Sequence, residues 1–145
     1  MFFDDIVSGM TFETAPAVID KDEMLEFALK YDNNPLHTDE EYAKTTVFGG
    51  IIASGMMSFM AVWPKFLEIT PFGTELIAGR SAKIEWLKPV FAGDVLTGKC
   101  TITKLIRRNE RNGLVEMVMD IYNQDGVRVM TSLSEFIIKC RPQTV

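Results

Sequence analysis

The sequence predicts an α+β fold in which a curved antiparallel sheet wraps a long central helix, and three observations predict it. An almost wholly apolar stretch runs from Ile51 to Leu67. From Glu75 onward the hydrophobic pattern switches to period two, the spacing of a half-buried strand. Ala92-Gly93-Asp94, Asn112-Gly113 and Asp125-Gly126 then cut that half into pieces of hairpin size. A greasy helix followed by such a sheet is the order required if the sheet is to close around the helix. The chain has 145 residues, enough for one domain over 1–145 with a sizeable core, and shows no repeat, low-complexity tract or linker.

Each element has a local reason. Residues 3–19 alternate through Met10, Phe12 and Thr14 to Pro16 and Val18-Ile19, which predicts one short entering strand, part of it at an edge where proline is tolerated. Residues 21–31 read as a helix, with Asp20 as cap and Glu23 completing an Asp-x-x-Glu capping box. Met24, Phe27, Ala28 and Tyr31 share one of its faces. Pro35 drives Asn34 out of the helical region, so the helix stops near Asp32 and the chain turns. Asp39-Glu40-Glu41-Tyr42-Ala43-Lys44 places acids first and a base last, as a short helix prefers. Gly49-Gly50 opens a loop, and a helix is predicted over 51–67, buried on most faces, with Pro64 to kink or end it and its methionines as core filler. Four long strands follow, carrying Ala82-Ile84-Trp86, Leu96-Gly98-Cys100-Ile102, Val115-Met117-Met119-Ile121 and Met130-Ser132-Ser134-Phe136-Ile138 on alternate positions.

Composition excludes several classes of function. Apolar residues make up 47% and charged residues 24%, a globular balance. A net charge of −5 argues against nucleic acid as partner. The one basic run, Lys104 to Arg111, is broken by Glu110 and reads first as a solvated turn, second as a contact for an anionic ligand such as one bearing phosphates. Cys100 and Cys140 lack Cys-x-x-Cys spacing and read as reduced structural thiols, with neither a zinc nor a redox motif. The N-terminus lacks the regions of a signal peptide and no apolar stretch spans a bilayer, so a cytoplasmic protein without a membrane partner is expected.

Chemistry is sought at the bend, where Asp32 precedes the single histidine, His37, by five residues. A turn between them can bring a carboxylate and an imidazole to one water. A carboxylate at a helix C-terminus meets the negative pole of the helix dipole and holds a proton more readily, which suits a proton acceptor. The bland reading makes Asp32 and Asn34 turn residues and gives His37 a backbone carbonyl; Asn34 fits orienting the bend better than moving a proton. A metal at His37 with Asp39, Glu40 and Glu41 is disfavoured, because there is one histidine and no second ligand cluster. Gly55 lacks a side chain, so its N–H can be approached by a ligand oxygen near the start of the buried helix; alternatively it is a packing glycine. Phe48, Ile51, Ile52 and Met56 are candidates for an apolar pocket or for core. Trp63 and Trp86 are each open to either role.

Asp32-Asn33-Asn34-Pro35-Leu36-His37, followed by Asp39, Tyr42-Ala43, Thr45-Thr46, Phe48 and Ile51-Ile52-Ala53-Ser54-Gly55-Met56, resembles the MaoC-like (R)-specific enoyl-CoA hydratases and dehydratases. Trp86-Leu87-Lys88-Pro89-Val90-Phe91-Ala92-Gly93-Asp94 resembles the sheet segment that follows in that family. Two places depart from it: Lys30-Tyr31 stands where many members have small residues, and Ser54 where many have histidine. The resemblance implies the hot-dog fold and a hydro-lyase that adds water syn to trans-2-enoyl-CoA to give (R)-3-hydroxyacyl-CoA, or the reverse dehydration. It implies Asp32 and His37 as the catalytic pair and the Gly55 N–H as the donor facing the thioester carbonyl. No cofactor is expected beyond the coenzyme A of the acyl-CoA substrate, and a homodimer or higher homo-oligomer is expected. The alternatives are a non-catalytic acyl-CoA-binding hot-dog subunit, or a thioesterase. The second is disfavoured because residues 51–67 hold no acid, the first being Glu68.

Overall fold

A computed structural model of the chain describes residues 1–69 and 71–144. A 3-10 turn at Phe3–Asp5 leads to β1 (Thr11–Glu13) and β2 (Ala17–Val18), then to α1 (Lys21–Tyr31), α2 (Pro35–Thr38), α3 (Glu40–Lys44) and α4 (Gly55–Ile69). The remaining strands are β3 (Leu76–Trp86), β4 (Val95–Arg107), β5 (Asn112–Tyr122) and β6 (Arg128–Lys139). They form an antiparallel sheet in the order β1-β4-β5-β6-β3, with β2 also paired to β4, and α4 packs against it. This is the predicted α+β arrangement, a sheet wrapped around a helix. The single early strand is in fact two, because Pro16 interrupts the ladder between Glu13 and Ala17.

The period-two pattern decides which face of the sheet is inside. Leu96, Cys100 and Ile102 of β4, Val115, Met117, Met119 and Ile121 of β5, and Met130, Phe136 and Ile138 of β6 are all buried. Each large apolar side chain of this set contributes about 1.5–3 kcal/mol by leaving water. Against them α4 places Phe59, Val62 and Phe66, and Trp63 stacks on both Phe59 and Phe136. Gly98 lies where helix and sheet press closest; a Cβ there would stand 3.1 Å from Val62 Cγ1 and 3.0 Å from Met119 Sδ.

Four expectations need correction. The central helix begins at Gly55, not Ile51, because the Ala53 N–H is taken by the Val90 carbonyl and residues 51–54 form no helix. It is not buried all round either: Met56, Met60, Leu67 and Ile69 are exposed, and Pro64 sits inside it without ending it. Asn112-Gly113 is no hairpin turn. The turn lies one step earlier, where Asn109 Oδ1 accepts the N–H groups of Arg111 and Asn112, and Gly113 pairs with Arg107 inside the ladder. Its lack of a side chain serves packing instead, since a Cβ would fall 2.3 Å from the Phe3 ring. Finally, Leu87–Asp94 is a connection and not sheet. Asp125-Gly126 does form its hairpin, with Gly126 at φ 73° and Asn123 Oδ1 accepting two backbone N–H groups.

The strand registers give the sheet two distinct ends. Trp86 pairs with Met130 and Thr97 with Tyr122 at one end; Leu76 pairs with Ile138 and Arg107 with Gly113 at the other. Ten or so residues of strand separate them, on the order of 30 Å.

Candidate active site at the start of the central helix

Asp20 Oδ2 accepts the Glu23 N–H and starts α1; among the described residues only this half of the expected capping box is made. Asp32 is the C-cap of α1, its N–H donating to the Ala28 carbonyl. Two residues on, Asn34 begins the next helix: its Oδ1 accepts the Leu36 N–H and its carbonyl accepts the His37 N–H. Pro35, with φ preset for a helix, is the first residue of α2. One proline therefore ends α1 and starts the short helix that carries His37, an element the sequence reading did not anticipate. Asp39 is spent on the cap of α3, and Glu40 and Glu41 pair with Lys21 and Lys44 at the surface, so none of the three acids turns to His37.

The bend brings Asp32 Oδ2 to 3.4 Å from His37 Nε2. On the other side of the ring, Nδ1 lies 2.7 Å from the Ile52 carbonyl oxygen. A carbonyl only accepts, so Nδ1 carries a proton, and in the neutral ring Nε2 then turns its lone pair toward the carboxylate. The ring is 11% exposed and fixed, whereas the Asp32 side chain is 42% exposed and reachable from outside. Asp32 Oδ2 also accepts a hydrogen bond of 2.8 Å from the Ser54 hydroxyl. Ser54 was singled out in the sequence only as a departure from a motif. Its sole further signal was a hydroxyl in an apolar run; in the structure the residue is only 1% exposed.

A cavity of about 430 Å³ joins these groups to the start of α4. Asp32 and His37 supply its acid–base edge, Gly55 and Ser58 its helical edge, and Phe48, Ile52, Met56, Trp86 and Val90 most of its apolar wall. Of the candidate apolar residues, Phe48, Ile52 and Met56 are therefore at the cavity, while Ile51 packs on the core. The tryptophans divide as well: Trp86 is a cavity wall and Trp63 belongs to the aromatic cluster under α4.

Gly55 is the first residue of α4. Among the described residues nothing accepts from its N–H or from that of Met56, so the positive end of a 15-residue helix opens on the cavity. The packing reading of this glycine is also correct. A Cβ would lie 2.3 Å from Trp86 Cε2 and Nε1, so only glycine admits the indole beside that amide. The arrangement can hold a water between a carboxylate and an imidazole, and can receive negative charge on an oxygen at the helix start. The basic run is elsewhere: Arg107 and Arg108 lie at the opposite end of β4, bonded to Asp4, Cys140 and Asn112.

The sequence family described as MaoC like domain matches residues 5–121. The chain is 32% identical over 141 residues to an uncharacterized protein, YdeM, of Bacillus subtilis, covering 96% of this chain and 99% of that one. It is 33% identical over 105 residues to an (R)-specific enoyl-CoA hydratase of Rhodospirillum rubrum, covering 72% of each. The crystal structure of a MaoC-like dehydratase from Rhodospirillum rubrum superposes with a TM-score of 0.89 at 27% identity, over 99% of both chains.

Proposed function

Because the chain belongs to the MaoC-like dehydratase domain family, which has the hot-dog fold, we propose that it is a hydro-lyase of acyl-CoA thioesters. The reaction is syn addition of water to a trans-2-enoyl-CoA to give the (R)-3-hydroxyacyl-CoA, or its reversal. One observation carries this: Asp32 Oδ2 and His37 Nε2 stand 3.4 Å apart on the cavity that Gly55, the first residue of α4, also lines.

The mechanism follows from those atoms. Water donates one hydrogen to Asp32 and one to His37 Nε2, which leaves an oxygen lone pair for the β carbon of the enoyl group. As the C–O bond forms, the pair takes one water proton; the other stays on the new hydroxyl. Electrons of the C=C bond move toward the thioester oxygen, where the Gly55 N–H and the helix dipole meet the developing charge. The acid–base pair then returns its proton to the α carbon on the face from which water came, so the addition is syn and the pair ends as it began. Because Nδ1 is held by the Ile52 carbonyl, the ring cannot turn its reactive nitrogen away between the two steps. Phe48, Ile52, Met56 and Trp86 offer the acyl group a largely apolar wall. A second copy of the chain is part of this reading, because β3 is a long edge strand, mostly exposed and paired on one side only, to β6.

The test is a hydration assay on crotonyl-CoA and on longer and branched trans-2-enoyl-CoAs, following loss of enoyl absorbance and resolving the product enantiomer. Formation of (R)-3-hydroxyacyl-CoA supports the proposal. Release of free coenzyme A without hydration points to a thioesterase. Binding without turnover, unchanged in His37→Ala, points to an acyl-CoA-binding subunit.

A further inference from the structure

We propose that Ser54 is a positioning residue that aims the Asp32 carboxylate, and that it does so by leaving the first turn of α4 uncapped. The inference rests on the hydratase reading above and adds to it a residue outside the acid–base pair.

Ser54 stands immediately before Gly55, the place where a serine side chain normally accepts an N–H from the first turn of the helix it precedes. Its backbone behaves as a cap should, with the Ser54 carbonyl accepting the Ser58 N–H at 3.0 Å and the Ser58 hydroxyl at 3.2 Å. Its side chain does something else, donating to Asp32 Oδ2 at 2.8 Å across a sequence separation of 22. Two consequences meet at the same cavity. Among the described residues the first-turn amides, Gly55 among them, have no side-chain acceptor and remain available to a ligand oxygen. The carboxylate at the C-cap of α1 gains a fixed partner on a buried residue.

That partner is needed because Asp32 has little else to hold it. It is more than two-fifths exposed, and among the described residues its carboxylate has one other polar side-chain neighbour, His37 Nε2 at 3.4 Å. A carboxylate in that position is free to rotate into water. A hydroxyl on a residue only 1% exposed pins one oxygen, and the geometry that a water must bridge between Asp32 and His37 is then set before the substrate arrives.

Steady-state kinetics on crotonyl-CoA with Ser54→Ala and Ser54→Cys provide the test. Ser54→Ala lowers kcat by about 10- to 100-fold while KM stays within about twofold, because the lost bond touches the base and not the coenzyme. Ser54→Cys keeps the buried volume with a weaker donor, and its kcat falls between the two; should the alanine variant unfold, the cysteine variant decides. A kcat within about twofold of wild type in the variant that decides, or a loss confined to KM, overturns the role of Ser54 while wild-type turnover leaves the hydratase reading standing. A wild type that hydrates no enoyl-CoA removes that reading and the Ser54 role together.

Discussion

The two ends of the sheet each hold carboxylates beside nitrogen bases, and they are built to opposite ends. Beyond the β4–β5 turn, Asp4 binds the Arg107 guanidinium and the Arg141 N–H, and Asp5 binds the Arg141 guanidinium at 2.6 Å. Phe2 and Phe3 lie under those guanidinium groups, with Arg141 4.9 Å from the Phe2 ring centre. Asp4, Asp5, Arg107 and Arg141 are all paired within this cluster, and the result is a clamp that ties the N-terminus to the strand ends. At the other end Asp32 and His37 stand 3.4 Å apart, beside helix amides that, among the described residues, nothing accepts from. Satisfied polar groups hold structure; groups held in place but left short of partners are what a substrate can use. The difference separates the two roles more clearly than charge or burial does.

The sharpest way to break this comparison is to remove the pair. In the proposed hydratase, Asp32→Asn and His37→Ala each lose about 100-fold or more in kcat, while thermal unfolding of the half-exposed Asp32→Asn shifts stability by only about 0.5 kcal/mol. A large stability loss with modest kinetic loss would make the bend a second clamp. Gly55→Ala comes next. The added methyl displaces the Trp86 indole from beside the amide, and kcat drops by about tenfold or more as the donor is screened or moved. A variant that keeps full turnover would reduce Gly55 to a packing residue.

Between the ends lies Cys100, whose thiol is pushed up to about 12 by burial. A raised folded value means that the native state keeps its proton while the unfolded chain loses it. The stability this thiol contributes is thus whole below the ordinary thiol value of 9.0 and is lost as pH climbs toward 12. Subtracting the alkaline unfolding curve of Cys100→Ala from that of wild type should leave a slope approaching ~1.4 kcal/mol per pH unit across that window. The smallest effect belongs to the clamp. The Arg141 N–H, and then Arg107, hold Asp4 below the usual carboxylate range against the cost of desolvation. Its contribution is present above the ordinary value of 3.8 and fades as pH falls through the lower folded value. Acid unfolding of Asp4→Asn loses that last part of the limb, and turnover at neutral pH is unchanged.

How much of this was legible in the chain depended on whether local or distant forces decided. Asp20 and Pro35 fixed both ends of α1 because capping and ring sterics act within a few residues. Alternation placed β4, β5 and β6 correctly because one face of each is buried. The start of α4 was not legible: Ile51 and Ile52 are as apolar as the helix proper, and what keeps them out of it is the pull of Val90 on Ala53 and of His37 on the Ile52 carbonyl. Met56 and Met60 read as core because an apolar residue announces no direction. Asn112-Gly113 misled for a related reason, since glycine can answer to a ring such as Phe3 as well as to a turn. At the site, Asp32, His37 and Gly55 could be picked out in sequence, whereas Ser54 could not, because its partner lies 22 residues away at the end of α1.

The position of the two indoles has a practical side. Trp86 is 50% exposed on the cavity wall, while Trp63 stacks between Phe59 and Phe136 at the helix–sheet contact. Their emission divides the same way, one fluorophore sensing whatever enters the cleft and the other sensing whether the interior is intact. The chain thereby carries two optical gauges, and a Trp63→Phe variant leaves the cleft gauge reading alone.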